Sequence, residues 1–149
     1  MRMGRGRPFS SLSASPEETS AIGRSLGRLL APGDVIYIYG DIGAGKTVFV
    51  SGIASALNIG EYITSPTFTI MNMYLGDMPL CHCDAYRIES PAELYETGFF
   101  EFSGGEYVTA VEWAGRIKGY KPDKCIEVWI DPVEGCESSR DVRIIFNEG

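Results

Sequence analysis

The stretch from Val35 to Leu57 limits the possible folds more than any other part of the chain. Val35–Tyr39 is an apolar run, and Gly40-Asp41-Ile42-Gly43-Ala44-Gly45-Lys46-Thr47 is a glycine-rich turn. After it, Val50, Ile53, Ala54 and Leu57 recur at i, i+3, i+4 and i+7. An apolar run of that length reads as a buried strand and the later spacing as one face of a helix, so the stretch predicts strand, loop, helix. The turn matches G-x-x-x-x-G-K-[ST] at every fixed position. Glycines at 40, 43 and 45 let successive backbone N–H groups point inward at a polyphosphate. A helix beginning near Lys46 adds its unpaired N–H groups and the positive end of its dipole. Lys46 would then reach the β- and γ-phosphates, and Thr47 would place its hydroxyl on Mg²⁺. The plainer alternative, a glycine-rich turn capping an ordinary helix, does not account for the full match with both flanks.

The chain has 149 residues, which suits one domain, with a loose basic leader expected over residues 1–14 and the domain proper over 15–149. A hydrophobic fraction of 44% and a charged fraction of 22% describe a globular protein with a real core. The net charge of −7 argues against a broad electrostatic footprint for nucleic acid, so any role of RNA would run through a partner. No apolar run approaches a membrane span, and no membrane association is expected. Cys81, Cys83, Cys125 and Cys136 form no C-x-x-C pair, and His82 is the single histidine. Reduced thiols and a cytoplasmic location are the simplest reading. Cys81-His82-Cys83 resembles a metal cluster on paper. In a strand, however, His82 points away from both cysteines, which favours packing roles.

Taken in order, the leader feeds an edge strand near Phe9. Ser15-Pro16-Glu17-Glu18 reads as a helix start with a capping box, followed by an apolar stripe of Ile22, Leu26, Leu29 and Leu30 that would cover the sheet. Asn58 and Gly60 end the helix after the loop. Thr64-Ser65-Pro66-Thr67-Phe68-Thr69 is too polar for a strand centre. It is either a mobile segment that senses a γ-phosphate or a plain Ser/Thr-rich turn. Ile70–Tyr74 and Leu80–Asp84 predict an antiparallel hairpin. Asp84 either supports Mg²⁺ or caps the turn Asp84-Ala85-Tyr86-Arg87. Ser90-Pro91-Ala92-Glu93 starts a short helix ending at Gly98. Tyr107–Val111 is a further strand that delivers Glu112-Trp113 at its C-terminal end, where ligands sit in open α/β sheets. Glu112 is either a surface acid or a group that orients water or serves Mg²⁺. Trp113 is placed to pack or to stack on a nucleotide. Cys125–Ile130 and Val142–Phe146 read as a closing strand pair around an acidic loop, Asp131–Asp141.

With these pieces in order, the chain resembles the TsaE family, small bacterial ATPases needed to make threonylcarbamoyladenosine in tRNA. The resemblance rests on Gly40–Thr47, Ser65-Pro66-Thr67-Phe68-Thr69, His82-Cys83-Asp84-Ala85-Tyr86-Arg87 and Val111-Glu112-Trp113, with Pro16-Glu17-Glu18-Thr19 matching the first helix start. It implies one α/β domain of the P-loop NTPase kind, a three-layer fold with a mixed central sheet. It implies ATP and Mg²⁺ as cofactors. Ile42, Gly43, Ala44, Gly45, Lys46 and Thr47 would hold the phosphates, and Thr47, Asp84 and Glu112 would serve the metal. Lys46, Asp84 and Glu112 would carry catalysis. Thr19, Thr67 and Trp113 would complete the nucleotide site, with Thr67 in the switch segment and Thr19 near the adenine. It also implies action on a complex of TsaB and TsaD partners, with tRNA met only through them. A small-molecule kinase, a GTPase switch and a nucleotide-binding module without turnover are the rival classes. No Arg-rich insert offers a lid for the first, and no Asn-Lys-x-Asp stretch reads guanine for the second.

Overall fold

The computed structural model describes residues 2–41, 45–66, 70–103 and 105–148. The fold class expected from the sequence is the one found. Among these residues, seven strands form one mixed sheet flanked by helices. In chain order they are β1 (Phe9–Ser13), β2 (Val35–Tyr39), β3 (Met71–Tyr74), β4 (Leu80–Asp84), β5 (Val108–Glu112), β6 (Lys124–Val133) and β7 (Cys136–Glu148). The helices are α1 (Pro16–Gly27), α2 (Lys46–Ala56), α3 (Pro91–Glu96) and α4 (Phe99–Phe102), with a 3-10 segment at Ala114–Tyr120. The spatial order is β1-β7-β6-β2-β5-β4-β3. The inner strands β6, β2, β5 and β4 are parallel, and the outer pairings are antiparallel. Such inner strands are covered on both faces and therefore read as near-continuous apolar runs. Residues 35–38 of β2 and all of β5 are buried accordingly.

The pleat divides the core into two layers. Ile36 and Ile38 face Leu26 of α1 and Phe49, Val50 and Ile53 of α2. Val35, Tyr37, Cys83 and Val111 face Leu94, Phe99 and Ile117 on the opposite side. The helix-start signals work as their chemistry requires. Ser15 Oγ accepts from Glu18 N at 3.2 Å, and Glu18 Oε1 accepts in return from Ala14 N at 3.0 Å. Asn58 follows α2 in the left-handed conformation (φ 56°), which asparagine tolerates.

Two expectations need revision. The acidic stretch Asp131–Asp141 is not a loop. β6 and β7 extend through most of it, with a register irregularity at Pro132/Val133, and Val133 pairs with Cys136 across the two residues Glu134 and Gly135. Gly135 takes φ +80°, as a tight hairpin turn demands. In addition, α1 does more than cover the sheet. It meets α2 backbone to backbone at Gly23, Gly27 and Gly52.

The leader is held along β1, whose residues Phe9–Ser13 pair with β7, and before it by Arg5. Arg5 donates to both carboxylate oxygens of Asp34, at 2.8 and 2.9 Å, and Asp34 Oδ2 also accepts from Ala31 N at 2.7 Å. Asp34 is buried while the Arg5 side chain is 32% exposed. Asp34→Ala is therefore expected to lower stability by about 1–2 kcal/mol, since it removes the buried acceptor shared by the Ala31 amide and Arg5, and Arg5→Ala by less, because a water-screened pair contributes little. Urea melts of the two variants check this. A larger loss for Arg5→Ala would contradict the ranking.

Candidate functional site

The site lies where the parallel strands end. Tyr39 closes β2 and the chain turns at Gly40; Asp84 closes β4 and Glu112 closes β5. β4 and β5 are in parallel register with Asp84 opposite Glu112, so both carboxylates emerge at the same level. A backbone bond from Ala85 N to Glu112 O (3.0 Å) locks that level. Both acids are 3% exposed.

α2 starts directly after Gly45, which holds φ +100° and so bends the chain into the helix axis. Lys46 is the first helical residue and Thr47 the second. The Thr47 hydroxyl donates to the Glu112 carboxylate, 3.1 Å from Oε1 and 3.0 Å from Oε2. Lys46 is 5% exposed, and its Nζ donates to Gly40 O at 2.6 Å and Asp41 O at 2.7 Å. The ammonium also sits 4.1 Å from the centre of the Trp113 ring. Burial pulls the Lys46 pKa below the ordinary lysine value, and the charges of Glu112, Asp84 and Asp41 work against that pull.

Trp113 holds this place with a backbone in the left-handed region (φ 56°, ψ 40°), unusual for a bulky residue. Its ring packs on Tyr86 with centroids 4.7 Å apart. Asp84 fulfils the capping alternative read from the sequence, because Oδ1 accepts from Tyr86 N at 2.9 Å. Its other oxygen, Oδ2, accepts from Ser65 Oγ at 3.2 Å. The Ser-Pro-Thr segment thus touches the site through Ser65, a residue not singled out by the sequence. Thr67 lies outside the described residues, as do Ile42, Gly43 and Ala44 of the loop.

Thr19 lies on the other side of the loop. Its methyl is 3.8 Å from where a Cβ on Gly45 would fall, and its hydroxyl shares a 2.6 Å hydrogen bond with Ser13. A cavity of about 320 Å³ opens there, lined by Thr19, Gly45, Val48 and, from the β6–β7 hairpin, Glu137 and Arg140. The hairpin residues went unrecognised because their segment reads as an acidic loop. The two-residue turn signal at Glu134-Gly135 marks them.

His82 is a further residue that the sequence reading assigned to packing. Its ring faces Glu112, on the sheet face opposite Cys83, which packs in the second core layer. Burial pushes the Cys81 thiol up to about 12 and raises Cys83 as well, in keeping with packing roles. Among the described residues no three His, Cys, Asp or Glu side chains converge as a protein-only metal cage. The oxygen donors of Thr47, Glu112 and Asp84 are nonetheless of the hard type that Mg²⁺ takes when substrate phosphates and water complete its shell.

A glycine-rich stretch joining a central parallel strand to a helix, with carboxylates at the ends of the next two parallel strands on one side, defines an α/β protein of the P-loop type. A family model described as threonylcarbamoyl adenosine biosynthesis protein TsaE matches residues 13–142, and the chain belongs to the TsaE family. It is 42% identical over 117 residues to the tRNA threonylcarbamoyladenosine biosynthesis protein TsaE of Bacillus subtilis, covering 78% of this chain and 73% of that protein. The Nostoc protein of the same name is 41% identical over 138 residues, covering 88% and 82%. In structure the chain resembles the crystal structure of Bacillus subtilis YdiB, with TM-score 0.80 and 32% identity over 95% of this chain and 86% of that one. No helix among the described residues is long and apolar enough to cross a membrane.

Proposed function

We propose that the protein binds ATP with Mg²⁺ at this site and hydrolyses it in the service of threonylcarbamoyladenosine formation in tRNA, acting on a TsaB–TsaD-like complex. The observation that carries the reading is the contact between the Thr47 hydroxyl and the Glu112 carboxylate, with the Lys46 ammonium buried beside them. Two groups 65 residues apart in sequence meet at the mouth of a phosphate loop.

Each side chain has a task that its surroundings suit. Lys46 already lies along the loop backbone, and it exchanges carbonyl partners for phosphate oxygens, a stronger charge-assisted contact. Thr47 with Glu112 and Asp84 would hold Mg²⁺. When bound, the ion neutralises charge on the phosphates and fixes their orientation. Glu112 and Asp84 orient the attacking water, and their burial keeps competing solvent away. Thr19 and the hairpin cavity lie on the side of the loop where the nucleoside would extend. The acidic surface fits a protein that meets tRNA only through partners.

Phosphate release by the purified protein, alone and with the two partner proteins, tests the proposal. A weak Mg²⁺-dependent activity that rises in the complex and disappears with EDTA is expected. A phosphorylated metabolite in place of free phosphate would point to a kinase. Preference for GTP in competition would point to a GTPase. Nucleotide bound without turnover, even with partners, would leave a binding module.

A further inference from the structure

His82 stands two residues before Asp84 in β4 and pairs with Ala110 in β5, one step below the Asp84–Glu112 level on the same sheet face. Its neighbours there are apolar: Leu80, Val108 and Ala110 all belong to the core layer under α1 and α2. A fully buried imidazole is an unexpected choice for such a position. Among the described residues the ring has one partner. Nε2 lies 2.5 Å from Glu112 Oε2, whereas Nδ1 has no hydrogen-bond partner among the described residues. Packing alone would be served by an aliphatic side chain without leaving a ring nitrogen unmatched.

With the ring proton on Nε2, the imidazole donates to Glu112 Oε2, since a carboxylate oxygen accepts. The carboxylate is then held from two sides, by His82 from within the sheet and by the Thr47 hydroxyl from the helix. Without His82, of these two donors only the Thr47 hydroxyl would remain on the Glu112 carboxylate.

We propose that His82 is a positioning residue, whose Nε2–H fixes the Glu112 carboxylate against Thr47 at the mouth of the loop. The inference rests on the reading of Glu112 as a group that serves the metal and the hydrolytic water. It assigns His82 no contact with the nucleotide. This arrangement matches the general behaviour of groups that orient a metal-binding or water-binding carboxylate from behind.

Because His82 is the sole histidine, the protein labelled with ¹⁵N at histidine reports on this ring alone. In the nucleotide-free protein, a protected, downfield Nε2–H signal is expected, and Glu112→Ala should move it upfield and speed its exchange with water. His82→Leu fills similar space with no donor, and His82→Gln restores an N–H at nearly the same reach. His82→Leu should lower kcat for ATP about 10–100-fold with little change in KM, and His82→Gln should recover most of the loss. Thermal melts separate this from a folding defect, which would affect KM and melting together and would not depend on the donor.

Equal kcat for the leucine and glutamine variants would overturn the proposal, as would an imidazole signal indifferent to Glu112→Ala. If the unaltered protein releases no phosphate with its partners, the proposed function fails. The imidazole signal then decides by itself whether His82 holds Glu112.

Discussion

Lys46→Ala is expected to lower ATP turnover by about 10²–10³-fold, the usual consequence of removing one positioned donor from a developing charge. The lysine's surroundings explain why the loss should be that large. Its ammonium is buried, its charge is opposed by its own desolvation, and its Nζ rests on the carbonyls of Gly40 and Asp41 at 2.6 and 2.7 Å. A cation held that way needs little rearrangement to take phosphate oxygens, and water does not replace it when the side chain is gone. The fold should survive the change. Alanine suits a helix, and the variant relieves the cost of keeping an ammonium out of water. Lys46→Arg should not rescue, because a planar guanidinium does not fit between two carbonyls and the Trp113 ring. Phosphate release and nucleotide affinity, measured beside thermal melts, check the expectation. A variant with the normal rate and an unchanged melt would remove Lys46 from the site.

The parts of this site that the sequence makes legible are those governed by short-range rules. The strand–loop–helix stretch is readable because the change from a continuous apolar run to a 3.6-residue period falls on a glycine-rich turn. Asp84 and Glu112 are readable because each ends an apolar run, and strand ends are where side chains leave the sheet. Their meeting is a matter of sheet order. β5 sits between β2 and β4, so Glu112 reaches the helix that follows β2 and Asp84 stands beside it. Nothing local in either strand states that order.

The less legible parts fail for identifiable reasons. Polar residues such as Glu137, Ser138 and Ser139 hide β7, because its hairpin end has no apolar face to bury and alternation is lost there. His82 is hidden because a ring that bonds to a residue 30 positions away leaves no periodic signal, although its two-residue offset from Asp84 does place the pair on one face. The helix contact is hidden because glycine inside a helix reads as a weakness until the opposing backbone is known.

That contact leads to the second large effect, on stability. Gly23, Gly27 and Gly52 should each cost their helix about 1 kcal/mol relative to alanine, so alanine would be the better residue if α1 and α2 stood at ordinary spacing. They do not. A Cβ on Gly52 would fall 2.0 Å from Ser20 O, and one on Gly23 would fall 2.2 Å from Phe49 O. These are backbone atoms, so no side chain can turn aside, and one helix must move. Gly52→Ala is therefore expected to destabilise the protein by about 1–3 kcal/mol in spite of its better propensity. At about 2–4 °C per kcal/mol for a chain of this size, the melting temperature should fall by several degrees. Gly60→Ala is the matched control, since a Cβ there meets nothing within 4 Å, and it should leave the melt nearly unchanged. The displacement also has a functional consequence. Thr19 rides on α1 and Gly45 leads into α2, and together they line one wall of the 320 Å³ cavity. Pushing the helices apart widens that wall, so Gly52→Ala should weaken ATP binding at temperatures well below its melt. A variant that melts at or above the unaltered protein would show that the two helices can separate without cost, and the close packing would then have no part in shaping the cavity.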